Sequence, residues 1–263
     1  MSKRGPGPRH RRDGLRRSED DRLERFKMKK LTKEERAARN LKKMIEAFRY
    51  WLARWDAGER WEVYVSVSNR KMGEVPSVSV LPLVTCARCA RETCGIGGCC
   101  ALRMALFREN VRASWAKNTV LLVRDPQRFY RGLIRWLAVY RPDSFRFNVG
   151  GDFGPADYFD IAYSVATVYP DIEFLAFSKS YEAVNEVIDD CGDLPRNLHV
   201  VFSEWPGLAA DNPYNLPVSV VLDPGDALPE GVKLCGGNCF ECRCHGVGCW
   251  TLKQGDKIAF YKH

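Results

Sequence analysis

The sequence predicts an α/β protein built on a partial (β/α) barrel or an open parallel sheet. Apolar runs of strand length alternate with helical patterns, and hydrophobic residues make up 45% of the 263 residues. Strands that alternate with helices form parallel sheets. These units are too few for a complete eight-stranded barrel, and no repeat of fixed period is visible. We therefore expect functional side chains at the carboxyl ends of the strands.

Positive charge is concentrated at the N-terminus. Residues 1–43 contain 17 Lys and Arg and 7 Asp and Glu, a net charge of +10, whereas the remaining 220 residues carry −2. Residues 1–30 are predicted to form a disordered basic arm, because apolar residues are scarce there. The arm indicates either contact with nucleic-acid phosphates through residues 1–43 or a solubilising role. No aromatic stacking residues or base-reading motif accompany the charges.

Residues 31–60 are predicted to contain an amphipathic helix. Thr32 and Glu35 have the spacing of a capping box. Apolar residues then recur at helical intervals: Leu41, Met44, Ile45, Phe48, Trp51 and Leu52. We expect this helix to pack on the body of the protein, and docking to a partner is the alternative. The sequence contains no apolar run of 18 residues and no secretory signal pattern, so we expect no membrane partner.

Residues 61–228 form the predicted α/β core, in which strands and helices follow one another along the chain. Apolar residues that alternate with polar ones indicate the strands, and apolar residues that recur about every 3.6 positions indicate the helices. The predicted strands are 61–67, 77–84, 145–149, 172–177, 198–202 and 218–222. The predicted helices are 104–117, 126–140, 156–168 and 181–189.

Ten of the eleven cysteines fall into two groups. The first group directly follows a predicted strand, and the second lies in the C-terminal segment 229–263. The absence of an export signal favours metal binding over disulfides, and thiolates suit zinc or iron–sulfur clusters. The spacing of the second group favours an iron–sulfur cluster over paired zinc ligands, and zinc is the alternative. The members are Cys86, Cys89, Cys94, Cys99 and Cys100, then Cys235, Cys239, Cys242, Cys244 and Cys249.

The end of the strand at 145–149 carries a second motif, Gly150-Gly151-Asp152. Two glycines let a ligand approach the backbone, and the acid can accept hydrogen bonds from an ammonium group or ribose hydroxyls. The alternative is an ordinary turn in which Asp152 caps the next helix. Lys179 and Ser203 follow later strands, so Lys179 is a candidate for an anionic group and Ser203 for a ribose hydroxyl or backbone amide. Plain surface positions are the alternative for both.

The order of these motifs resembles the radical S-adenosylmethionine (SAM) superfamily. There, three cysteines after the first strand hold a [4Fe–4S] cluster, and a Gly-Gly-acid motif after the second strand contacts the SAM amino group. The resemblance implies that Cys86, Cys94 and Cys99 hold the SAM-binding cluster and that Gly150, Gly151 and Asp152 contact SAM. It further implies a second, auxiliary cluster, whose ligands would be Cys235, Cys239, Cys242 and Cys249.

A closer resemblance is to the phage gene product eighty-eight family, over most of residues 68–263. Two departures are that Cys100 replaces a Tyr and that the first cysteine group is spaced more widely than the superfamily's Cys-x3-Cys-x2-Cys. That spacing occurs instead at Cys235, Cys239 and Cys242. The motifs that carry the resemblance are Ser68-Asn69-Arg70-Lys71-Met72, Val75-Pro76-Ser77, Thr85-Cys86, Cys94, Cys99-Cys100-Ala101, Val149 to Phe153, Phe177-Ser178-Lys179, Tyr181, Asn185, Leu194 to Leu198, Ser203-Glu204-Trp205, Cys235 to Cys242 and Gly248-Cys249-Trp250.

Together the resemblances imply a phage-encoded iron–sulfur enzyme that reductively cleaves SAM to start radical chemistry on an unknown substrate. Such an enzyme would work in the host cytoplasm and would need an external electron donor. The alternative is a non-catalytic zinc or iron–sulfur protein whose basic arm contacts nucleic acid. The sequence distinguishes neither the substrate nor the oligomeric state.

Overall fold

The computed structural model describes residues 31–69, 71–86, 99–155, 157–205 and 207–261. The chain divides into a short N-terminal unit, Met1–Thr32, and a compact unit, Lys33–His263, which contains the helices and strands named below. The predicted basic arm at 1–30 lies outside the described residues. Within the described ranges, no helix has the length and apolar content needed to cross a bilayer.

Helices in the described residues largely follow the predicted order. The helix that begins after Thr32 buries Met44 and Trp55 and packs on α3, as the sequence predicted. Helix α4 has the predicted bounds, because Asp125 Oδ1 accepts the N–H of Arg128 at 2.9 Å and Pro126 opens the first turn. The helices are α1 (Lys33–Asp56), α2 (Cys100–Phe107), α3 (Glu109–Arg124), α4 (Pro126–Tyr140), α5 (Tyr158–Val168), α6 (Tyr181–Cys191) and α7 (Cys239–Cys244), with a 3₁₀ turn at Gly248–Thr251.

The single helix predicted over 104–117 is wrong, because two helices occupy this region. Arg108 between them has an extended backbone, with φ −127° and ψ 103°. The Arg112 guanidinium Nη1 donates to the carbonyl of Ala105 at 2.8 Å. Carbonyls at the end of a helix lack partners within that helix, so Arg112 stabilises the break.

The described strands form one open sheet in the order β1-β2-β3-β4-β5-β6-β8-β7. The first pair is antiparallel and the others are parallel. The α/β class and the open parallel sheet are thus confirmed, and closure into a barrel is not seen among the described strands. The strands predicted at 61–67 and 77–84 are only two residues long. The strands are β1 (Val65–Ser66), β2 (Ser77–Val78), β3 (Ser144–Phe147), β4 (Glu173–Ser178), β5 (Leu198–Ser203), β6 (Val218–Leu222), β7 (Lys233–Leu234) and β8 (Lys257–Tyr261).

The two faces of the sheet pack against different parts of the chain. Phe174 and Ala176 of β4 belong to the large apolar cluster formed with α4, α5 and α6. Leu175 and Phe177 belong to another cluster, which contains Trp250 and several C-terminal cysteines. Alternate residues of a strand point to opposite faces. The C-terminal segment therefore covers the sheet face opposite the helices.

Candidate functional site

A cavity of about 230 Å³ lies at the carboxyl ends of the parallel strands. It brings together residues that follow β3, β4 and β5 with residues of β6 and β8 and with both ends of the first cysteine loop. This is where parallel α/β sheets place their ligand sites. The predicted site residues that line it are Cys86, Cys99, Gly151, Asp152, Lys179 and Ser203, and further lining residues include Lys71, Cys100, Arg146, Asn148, Phe177, Trp205, Ser219, Phe260 and Tyr261.

Cys86 and Cys99, the cavity cysteines, lie on either side of residues 87–98. That stretch, with the predicted ligand Cys94 and the unassigned Cys89, lies outside the described residues. Burial raises the pKa of the Cys86 thiol to about 12, and the negative charges of Asp152 and Cys99 add to the shift. Cys86 and Cys99 both line this cavity, so the two ends of the loop meet at its wall.

The pair Gly150-Gly151 is required by packing. A Cβ on Gly150 would lie 2.4 Å from the Trp115 ring, and one on Gly151 would lie 2.5 Å from a methyl group of Val80. Gly151 also has φ +80°, a conformation that other residues rarely adopt. Gly151 lines the cavity, whereas Gly150 packs against Trp115 in the middle of α3. Packing alone therefore explains why both positions are glycine, whether or not a ligand approaches them as predicted.

Asp152 is buried at the cavity wall and connects β3 to the end of β4. Its Oδ1 accepts the N–H of Phe153 at 2.9 Å and the hydroxyl of Ser178 at 2.8 Å, and its Oδ2 accepts the N–H of Lys179 at 2.8 Å. Burial raises the pKa of Asp152, and the charge of Lys179 partly offsets this. The alternative in which Asp152 caps the next helix is wrong, because Asp157 occupies that position.

A carboxylate can accept about four hydrogen bonds, and the described residues supply three of those to Asp152. One acceptor site on this residue therefore suits a ligand with N–H or O–H donors. The neighbouring Thr85 holds the same turn in place, because its hydroxyl oxygen accepts the N–H of Asp152 at 3.1 Å.

Lys179 and Ser203 both lie at the cavity rather than at plain surface positions. The Lys179 Nζ is 5.6 Å from the centroid of the Trp205 ring. The Ser203 hydroxyl oxygen accepts a hydrogen bond from Ser219 at 3.1 Å and is buried. Sequence reasoning missed Lys71 and Arg146, which also line the cavity. Arg146 could have been found, because strand alternation directs it away from the face of Phe145 and Phe147.

Four C-terminal cysteines, the C-terminal cysteine group, pack together against the sheet. They share an apolar cluster with Met72, Leu175, Trp250 and Ile258. Burial raises the pKa of Cys249 to about 12, Arg146 lowers it in part, and the other three thiols raise it further. The group consists of Cys235, Cys239, Cys242 and Cys249.

The C-terminal cysteine group has a donor set that suits a thiolate-bound metal or cluster. A Cβ on Gly236 or Gly248 would lie 3.1 or 3.2 Å from the Cys242 sulfur, so the glycines let the backbone wrap around this thiol. In the described ranges, no three Cys, His, Asp or Glu side chains are arranged as ligands of one metal ion. The four thiols have the chemistry to bind a metal or cluster and lie near one another, although they are not arranged around a single ion.

Arg146 and the turn at 71–73 attach the C-terminal cysteine group to the core. The Arg146 Nη1 donates to the Cys239 sulfur at 3.4 Å and to the Met72 sulfur at 3.2 Å. The N–H of Cys239 donates to the carbonyl of Lys71 at 3.1 Å. A Cβ on Gly73 would lie 2.6 Å from Phe240 Cβ, so the turn contacts α7 closely. The motif around Lys71-Met72 thus supports the second cysteine group.

The gene product 88 family matches residues 30–205, which is more than half of the chain. The chain belongs to the gene product 88 family. This confirms the phage gene-product resemblance, and the match includes the first cysteine group and Gly150-Gly151-Asp152. The match ends before the C-terminal cysteine group of this gene product 88 protein, although the sequence resemblance was expected to reach 263. No curated protein and no solved structure matches the chain.

Proposed function

We propose that this gene product 88 protein is an iron–sulfur enzyme of the radical-SAM type. One observation supports the proposal most: a single cavity at the carboxyl ends of parallel strands is lined by Cys86, Cys99 and Asp152, with Lys179 and Ser203 beside them. Cysteines, a buried carboxylate, a cation and a hydroxyl are the groups that a cluster and an amino-acid-bearing nucleoside would require together. Packing alone does not require this combination at one cavity.

Two cysteine sets would hold the clusters. Cys86, Cys94 and Cys99 would bind the [4Fe–4S] cluster at the cavity, and the C-terminal cysteine group would bind an auxiliary cluster. When bound and reduced, the cavity cluster supplies the electron that breaks a carbon–sulfur bond of SAM. An external electron donor is part of the proposal.

The chain's own residues would bind and orient SAM. Asp152 has acceptor capacity for the SAM ammonium group, and Lys179 would pair with its carboxylate. Ser203 would donate to a ribose hydroxyl. Trp205, Phe177 and Phe260 would surround the reacting atoms with apolar surface and exclude water. The host cytoplasm and nucleic-acid contact by residues 1–43 remain predictions.

Metal analysis and a SAM assay test the proposal together. The full chain is purified without oxygen, and iron, sulfide and zinc are measured. We expect about eight irons per chain, four per cubane cluster, and cleavage of SAM after chemical reduction. Cys99→Ala should abolish cleavage, and the matched control Cys191→Ala, an exposed cysteine in α6, should not. Intact clusters without SAM cleavage would contradict the enzymatic proposal.

A structural metal site is the second candidate, and the burial of Cys249 within the C-terminal cysteine group favours it. Cys249 and Trp250 are buried there, as expected for a structural site. In this case the purified protein would be colourless and would contain zinc in a stoichiometric amount. That result would replace the radical-SAM proposal with a metal-stabilised scaffold.

A further inference from the structure

Three cations among the described residues line the cavity, and two of them lie next to the C-terminal segment. Lys71 and Arg146 both contact Cys239, through the Lys71 carbonyl at 3.1 Å and the Arg146 Nη1 at 3.4 Å. Lys179 instead adjoins Asp152, which accepts its backbone N–H. The cavity therefore has two ends: one with Asp152, Lys179 and the cavity cysteines, and one with Lys71 and Arg146.

Lys71 and Arg146 lie on either side of an aromatic pair. The Lys71 Nζ is 5.4 Å from the Phe260 ring centroid, and the Arg146 guanidinium carbon is 4.7 Å from that of Phe177. The two rings are 5.6 Å apart, in an edge-to-face arrangement. A cation–π contact leaves the ammonium N–H donors of Lys71 available for an anion, and Arg146 keeps its Nε donor besides the Nη1 that donates to two sulfurs.

No carboxylate neutralises these two cations in the part of the chain that the structure describes. Neither Lys71 nor Arg146 forms an ion pair there, and the buried Nε of Arg146 has no hydrogen-bond partner. A buried polar atom without a partner is costly and usually indicates a missing water, ion or ligand. Positive charge in a cleft attracts an anion.

We propose that Lys71 and Arg146 form a subsite that binds the anionic group, a phosphate ester or a carboxylate, of a substrate with an aromatic or heteroaromatic ring. The ring would lie against Phe177, Phe260 and Tyr261, and the anion would face the two cations. The inference rests on the proposed function only in calling this ligand the substrate. Binding of an anion at this place is independent of SAM.

Calorimetric titration of the full chain, without SAM or reductant, tests the subsite. The probes are phenyl phosphate, benzoate and neutral benzyl alcohol. We expect an anionic probe to bind and the alcohol not to bind, and the better anion identifies the class of substrate group. Lys71→Gln should weaken binding about tenfold, since a charge-assisted hydrogen bond is lost. The control Lys42→Gln, an exposed lysine of α1, removes the same charge and should leave binding unchanged.

Arg146→Gln should weaken binding as well, provided that its thermal unfolding shows a folded protein. Lys71 is exposed and attaches to the C-terminal segment through its backbone, so Lys71→Gln tests the subsite even if the Arg146 variant does not fold. Equal binding of benzyl alcohol, or unchanged binding in Lys71→Gln, would overturn the inference. If SAM is cleaved but no anion binds, the subsite fails and the proposed function stands. If an anion binds through Lys71 but SAM is not cleaved, the subsite stands and the proposed function fails.

Discussion

The cavity cysteines and the C-terminal cysteine group differ in their surroundings. Cys86 and Cys99 border a cavity together with Asp152 and Lys179. The C-terminal cysteine group packs against apolar side chains on the sheet face opposite the helices, with only Cys249 buried, and Arg146 is its neighbouring cation. The first arrangement adjoins a cavity of about 230 Å³. The proposed function therefore assigns SAM binding to the first arrangement only.

The two sites are also held in place by different interactions. At the cavity, side chains connect the strand ends, chiefly through Asp152, Ser178 and Thr85. At the C-terminal cysteine group, backbone hydrogen bonds dominate, such as Cys235 N–H to the Ala259 carbonyl at 2.9 Å. Substitutions at single side chains should therefore disturb the cavity more selectively than the C-terminal segment.

Gly151→Ala should have the largest effect on the cavity side. The new Cβ would lie 2.5 Å from Val80 Cγ2 and 2.6 Å from the Val80 carbonyl oxygen, at φ +80°. We expect a loss of about 3 kcal/mol or more in the free energy of unfolding, from overpacking and backbone strain together. Urea denaturation measures it. Gly192→Ala is the control, with φ +85° and no atom near the Cβ, and should cost less, about 1–3 kcal/mol, because it adds backbone strain alone. Equal losses would contradict this account of Gly151.

Serine substitutions should separate the two cysteine sites by the direction of the stability change. Cys249 is 8% exposed among apolar residues, so Cys249→Ser buries a hydroxyl and should cost about 2 kcal/mol even in metal-free protein. The Cys99 sulfur accepts the N–H of Leu102 at the start of α2, where serine is the better cap. Cys99→Ser should leave the metal-free stability unchanged or slightly higher. Thermal unfolding after chelation measures both, and similar losses would refute the distinction.

Asp152→Asn should have an intermediate effect. An amide in place of the carboxylate directs an N–H₂ group toward a backbone or hydroxyl donor, so we expect a loss of about 1–2 kcal/mol. Burial raises the pKa of Asp152 above 3.8, so wild-type stability should fall as the pH rises through the folded pKa. The asparagine variant lacks this fall, and the wild-type advantage should be smaller at pH 7 than at pH 4. Urea denaturation at both values measures it, with exposed Asp171→Asn as the control. An advantage that grows with pH would contradict the raised pKa.

The smallest expected effect concerns the ion pair that closes the C-terminal segment. Lys233 Nζ lies 2.7 Å from Asp256 Oδ2, and this hydrogen bond lowers the pKa of Asp256. The pair's contribution is present above the ordinary aspartate pKa of 3.8 and is lost as the pH falls through the lowered value. Because the pair is exposed, Asp256→Asn should change stability only slightly at pH 7. A large loss in thermal unfolding would show that the segment depends on this contact.

Local signals explain which elements the sequence could predict. Helix α4 has a cap at Asp125 and a proline at its start, and β6 is a short apolar run, so both were predicted with their observed bounds. The break at Arg108 is not marked by a glycine or a proline in the sequence. A side-chain contact from Arg112 stabilises it instead, and the sequence pattern does not reveal such a contact. The strand β8 was missed, although residues 257–261 form a short, mostly apolar segment of the kind that is typical of strands.

The candidate site was predicted in part for a similar reason. Residues at strand ends, such as Asp152, Lys179 and Ser203, could be found because parallel strands bring their carboxyl ends together. Lys71 and Arg146 could not be found by that rule. Lys71 lies in a turn, and Arg146 lies within a strand, so their place at the cavity depends on how the C-terminal segment folds over the sheet.

Electron paramagnetic resonance of the reduced, anaerobically purified chain tests most directly the claim that one site takes a ligand and the other does not. Spectra are recorded with and without SAM. The account predicts two cluster signals, of which SAM changes one; Cys99→Ala should remove the SAM-sensitive signal and leave the other. If SAM changes neither signal, or if the SAM-sensitive signal persists in Cys99→Ala, the assignment of a reactive and a structural site is contradicted.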